Sequence, residues 1–159
     1  MNIWTTEKWK SYYNTGEHRS GIRVDYERNV DPNVKRALSE FVKWLRTEYK
    51  FPKRVRVYVK AAEKIKARDG DMVFGTAFLP YSRNDEPYIR IATGDYCDLR
   101  KKVGVDNALA SIIGTLAHEL THYYQWLNDL ELTPIGEERQ ATNYSKKILS
   151  LYAETRDHP

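Results

Sequence analysis

His118-Glu119-Leu120-Thr121-His122 sets two imidazoles four residues apart, with a carboxylic acid directly after the first. An α-helix advances 100° per residue, so two such histidines stand one above the other, about one turn apart. In that register both can ligate one divalent ion, at roughly 2.0–2.1 Å each for Zn2+. Glu119 projects at the neighbouring angle. It can reach a water at the ion without itself being a ligand, which is where a general base must sit. A catalytic zinc takes three protein ligands and keeps one position open, so the third ligand must come from elsewhere. A third histidine six residues after the second is excluded, because that position is Asn128, and Gln125 stands where the extended motif requires glycine.

Two helices are needed to present such a site. The first is expected over residues 106–130, capped by Asp106. Leu109, Ile112, Ile113, Leu116, Leu120 and Leu127 form its buried stripe, and Ser111, Thr115, His118, His122 and Gln125 a polar line beside it. The second is expected over 135–153, after Thr133-Pro134.

Within that second helix, Glu138-Arg139-Gln140-Ala141-Thr142 resembles the "glutamate helix" of the gluzincin metallopeptidases, a pattern close to E-x-x-A/S-D/N that follows the H-E-x-x-H helix. The resemblance implies Glu138 as the third zinc ligand. The acidic residue that ends the family's pattern hydrogen-bonds a ligand histidine; here Thr142 holds that place, with Asn143 one position on. Helical register supports the assignment: Glu138, Ala141, Thr142 and Ser145 share one face at i, i+3, i+4 and i+7, and three of them are small or polar. Glu137 and Glu131 are the other acidic candidates.

The short chain looks like a minigluzincin, the single-domain form of that family, over roughly residues 31–153. Minimal ImmA-like and SprT-like metallopeptidases share the scaffold. The resemblance implies an α+β, zincin-like domain in which a small twisted sheet packs on the active-site helix and the glutamate helix. It implies hydrolysis of peptide bonds with one Zn2+ and with Glu119 as general base. It also implies that the last strand before the motif helix, Tyr88, Ile89, Arg90, Ile91 and Ala92, is an edge to which an extended substrate adds. An oxyanion donor is usual in the family. Tyr144 is the first candidate, and Tyr152 and His158 are others by position.

The remaining pattern is that of an α+β chain. A short helix is expected near residues 5–13, ended by Gly16, and a strand over 22–26. Asp31-Pro32 opens a helix carrying Val34, Leu38, Phe41, Val42, Leu45 and Tyr49 at helical spacing, until Phe51-Pro52 stops it. Val55, Val57 and Val59 alternate with polar residues as a strand, and strands are expected over 72–79 and 88–93. Residues 1–30 read as an N-terminal extension and 31–159 as the metallopeptidase domain.

Of 159 residues, 26 are Lys or Arg and 22 are Asp or Glu, and 13% are aromatic. That composition argues against disorder. One cysteine, Cys97, excludes an internal disulfide framework and a multi-Cys zinc ribbon. The expected setting is cytoplasmic, with no secretory signal and no apolar run near the roughly 20 residues a membrane helix needs. Eight basic residues lie between Lys50 and Arg68, opposed only by Glu63. Such a stretch is either a solvated face or a footprint for nucleic acid, which makes a nucleic-acid-associated, SprT-like protease the alternative function. A non-catalytic zinc-binding protein is a third reading, against which the intact Glu119 argues. Cys97 and the extension, through Glu17 and His18, are candidate sources of latency.

Overall fold

Strand β1 (Ile22–Tyr26) leads into helix α1 (Pro32–Glu48), which returns to strand β2 (Val55–Lys60). The path is that of a computed structural model describing residues 2–13 and 18–159. The start of α1 follows from local chemistry: the Asp31 carboxylate accepts from the Asn33 amide at 2.8 Å, and Pro32 occupies the first turn, where its missing N–H costs nothing. Val34, Ala37, Leu38, Phe41, Val42 and Leu45 form its buried stripe.

Two short strands, β3 (Ile65–Lys66) and β4 (Met72–Val73), pair with each other. Strands β5 (Gly75–Phe78) and β6 (Tyr88–Ala92) complete the main sheet, whose order is β1-β2-β6-β5. The first three strands are parallel and β5 is antiparallel to β6. Helices α2 (Tyr96–Val103), α3 (Val105–Leu127) and α4 (Pro134–Ala153) follow. The described residues form one α+β domain of four helices and a small mixed sheet.

Val55, Val57, Val59, Ile89 and Ile91 face the helices and share one core with Leu38 and Phe41 of α1 and Leu116 and Leu120 of α3. Alternation along each strand places every second residue on the opposite face. Tyr123 and Tyr124 of α3 donate to the Lys53 and Lys50 carbonyls at 2.6 and 2.7 Å, fixing the approach to β2.

Several expectations are corrected. Tyr88–Ala92 is not an edge: β6 lies between β2 and β5, and the strand that borders the sheet on that side is β5. Period-2 alternation identifies a strand without saying which neighbours it takes. The strand expected over 72–79 is broken at Phe74, its first part pairing with β3 and its second with β6. Asp106 does not cap α3. Gly104, at φ 87°, ends α2 and opens α3 one residue earlier, and Asp106 falls in the first turn. Helix α2 was not expected, because only Tyr96 of its eight residues is buried and it has no apolar stripe to read.

The described residues of the expected extension, 2–13 and 18–30, are not set apart from the domain. β1 is the outer strand of the sheet, and Ile3 and Trp4 are buried in the core. The Trp4 indole donates to the Thr121 hydroxyl at 3.0 Å, and the Trp9 amide donates to the Asn128 side chain at 3.2 Å. The expected first helix is a single 3-10 turn at Lys8–Ser11, and Gly16, its expected end, lies outside the described residues. Trp4→Ala would empty a core site and remove the indole donor to Thr121, whose hydroxyl keeps its own bond to the Ala117 carbonyl. It is expected to cost about 3–5 kcal/mol of unfolding free energy, read from urea denaturation midpoints. An unchanged midpoint would remove the N-terminal segment from the core.

Candidate metal centre

Helix α3 carries His118 and His122 with ring centroids 5.0 Å apart and planes at 75°. Helix α4 lies against this part of α3. Its entry is set by Thr133, whose hydroxyl accepts from the Gly136 amide at 3.0 Å, and by Pro134 in the first turn. Ala141 and Ser145 are buried on the inner side of α4, so the backbones come close. Gly114 marks the same closeness: a Cβ there would lie 3.1 Å from a Leu149 methyl.

The approach brings Glu138 onto both imidazoles. Its Oε2 is 3.1 Å from His118 Nε2 and its Oε1 is 2.9 Å from His122 Nε2. One ligating atom from each residue lies within 4.8 Å of the other two. Three ligands at roughly 2.0–2.1 Å from a tetrahedral ion are about 3.3–3.4 Å from one another. The two Glu138–imidazole separations, 3.1 and 2.9 Å, lie within about half an ångström of that spacing. Glu138 is 65% exposed, so the cluster is open to solvent on one side. Neither Glu137 nor Glu131 joins the cluster. The Glu137 carbonyl accepts from Gln125 instead, and Glu131 lies exposed in the connection between the helices.

Burial lowers the pKa of His118 below the usual histidine value, and the neighbouring His122 adds to this, with Glu138 opposing. Its neutral form, the one that binds metals, is thus favoured. Gln125 orients His122: its side-chain oxygen is 2.8 Å from His122 Nδ1. Its amide nitrogen donates to the Glu137 carbonyl at 3.0 Å and to Gln140 Oε1 at 2.9 Å. With both donors used on α4, the Gln125 oxygen accepts from Nδ1–H, leaving Nε2 bare and aimed at the cluster. Neither Thr142 nor Asn143 takes this role. Gln125 was legible in principle, standing three residues after His122 on the same helical face.

Glu119 is 7% exposed. Burial raises its pKa to about 7, helped by the Glu138 charge and opposed by His122. Strand β5 covers it at Gly75, where a Cβ would lie 2.7 Å from a Thr115 methyl and 3.2 Å from Glu119 Cγ. Only glycine lets β5 cross this closely, and nothing in the local sequence announces it.

The other expected residues lie elsewhere. Tyr152 is a core residue, packed edge-on against Phe41 at 4.9 Å and under Arg156 at 3.9 Å. His158 pairs with Asp106 at 2.8 Å, near the opposite end of α3, some 18 Å from His118 by helical rise. Tyr144 is half-buried beside Lys147, about 9 Å along α4 from Glu138. Cys97 is exposed near the start of α2 and is not part of the cluster. His18 packs on Tyr13 at 4.9 Å, and Glu17 lies outside the described residues.

No protein-family model matches the chain, and no curated protein and no solved structure matches it either. Among the described residues no helix is long and apolar enough to cross a membrane.

Two outcomes follow from this geometry. Gln125→Leu, which frees the His122 ring, is expected to weaken zinc binding 10- to 100-fold in calorimetric titration; unchanged affinity would discard the orienting role. Glu119 holds its proton more tightly in the folded chain, at a pKa of about 7, than at its ordinary value of 4.5. Between those values the unfolded state binds fewer protons, so stability falls as pH rises. Relative to Glu119→Gln, the metal-free wild type should lose about 3 kcal/mol from pH 4.5 to 7, measured by denaturation at each pH. A constant difference would remove the buried acid.

Proposed function

We propose that the protein is a zinc-dependent peptidase, with His118, His122 and Glu138 holding the ion and Glu119 acting as general base. The observation that carries this reading is a buried carboxyl, that of Glu119, beside three converging ligand atoms. A carboxyl placed beside the ligands without being one of them is where a general base must sit. The donor set of two imidazoles and one carboxylate is that of a hydrolytic zinc site with an open position.

When bound, zinc supplies a Lewis acid that polarises a carbonyl and lowers the pKa of water. The chain's own residues do the rest. Glu119 removes a proton from the attacking water and later hands it to the departing amine. Gln125 keeps the His122 ring in its ligand tautomer. Strand β5 borders the sheet above Glu119, and an extended peptide adding to it would lie alongside the base. Backbone pairing of that kind holds a substrate with little demand on its side chains.

Glu119→Gln keeps all three ligands and removes the base. It should retain its zinc, measured by elemental analysis, and lose hydrolysis of a mixed peptide library at least about 100-fold. His122→Ala should lose both metal and activity. A Glu119→Gln protein that still cleaves, or a wild type that stays metal-free in the presence of zinc, would overturn the proposal.

A further inference from the structure

The basic stretch from Lys50 to Arg68 is divided by the fold. Lys50 pairs with Glu7 at 2.8 Å, and Lys53 is 3% exposed and so is withdrawn from the surface. Arg56 and Lys60 lie on the sheet face turned away from α1 and α3, and Arg68 reaches it over Phe78. Strand register lays that face out in rows. Arg23, Arg56, Tyr88 and Phe78 run across β1, β2, β6 and β5, and Asp25, Tyr58, Arg90 and Thr76 form the next row.

These side chains are half-buried or exposed, whereas their neighbours in β2 and β6 fill the core. The three rings are contiguous: Phe78 stacks on Tyr88 at 5.0 Å, and Tyr88 meets Tyr58 edge-on at 5.9 Å. Cations flank them, Arg68 over Phe78 at 5.1 Å and Lys60 over Tyr58 at 5.8 Å. A cleft of about 270 Å³ opens where Phe78, Tyr88 and Arg90, whose guanidinium donates to the Lys66 carbonyl at 2.8 Å, meet the turn holding Arg68 and Asp69. The nearby Glu86 is already engaged by Arg19 at 2.8 and 2.9 Å, which leaves Asp25 as the acid within the two rows.

We propose that this sheet face binds single-stranded nucleic acid, with Tyr58, Tyr88 and Phe78 stacking unpaired bases and Arg23, Arg56, Lys60 and Arg90 meeting phosphates. Positive charge selects a polyanion. Adjacent rings on an open sheet select flat partners with exposed faces, which a single strand offers and a duplex hides. Readout is sequence-tolerant, since every base has a face to stack. The face lies across the sheet from α3, so the proposal stands apart from the metal centre and holds with or without an ion there.

The test is fluorescence anisotropy of labelled oligo-dT and oligo-U of about 12 nucleotides. Four phosphate contacts predict a roughly 50-fold loss of affinity between about 50 and 200 mM salt. Arg23→Glu with Arg56→Glu should weaken binding at least about tenfold and flatten the salt slope. Tyr88→Ala should weaken it about tenfold, while Tyr88→Phe, which keeps the ring, should not. Circular dichroism checks folding, and the arginine pair on the outer face decides the matter if Tyr88→Ala does not fold. No binding at low salt, or binding indifferent to the arginine pair, would overturn the proposal. So would equal affinity for a duplex, or equal competition by poly-glutamate per charge, either of which reduces the face to bare electrostatics.

Discussion

The close approach of α4 to α3 is the constraint on which the rest depends. Two stacked imidazoles on one helix are only half a site, and the missing ligand comes from a second helix that must pass within a side chain's reach. Small residues at the contact allow this: Gly114 on α3, where a Cβ would press on Leu149, and the buried Ala141 and Ser145 on α4. Gln125 then bridges the two helices while holding His122, so interhelical distance and ligand orientation are set by one side chain. A larger residue at this contact would separate Glu138 from both imidazoles together.

Burial around that contact is uneven, and the unevenness divides the labour. Glu119 is enclosed beneath Gly75 of β5, and loss of solvent pushes its pKa to about 7. Glu138 stands in solvent. Two carboxylates near the same imidazoles thus sit in unlike surroundings, one enclosed and suited to moving protons and the other open and suited to holding a cation. The N-terminal segment adds a further hold on α3 through Trp4 and Thr121.

The sheet separates two environments. Its inner face is Val and Ile packed on the helices, and its outer face is Arg, Lys, Tyr and Phe. The same alternation that makes the strands foldable places unlike chemistry on either side, so the candidate metal centre and the basic aromatic face can change independently.

Much of this was legible along the chain. His118, Glu119 and His122 follow from helical geometry acting over four residues, and α1, β2, α3 and α4 follow from periodicities that one segment carries by itself. Glu138 needed more, a register argument joined to a family pattern, because its partners lie about 20 residues away. What the tertiary structure decided was everything that depends on neighbours in space. Strand order made β5 rather than Tyr88–Ala92 the border of the sheet, and drew residues 22–26 into it. Helix crossing gave Gln125 the role expected near Thr142, and sent Tyr152 and His158 away from the cluster. Periodicity tells a residue which way to face; only packing tells it what it will meet there.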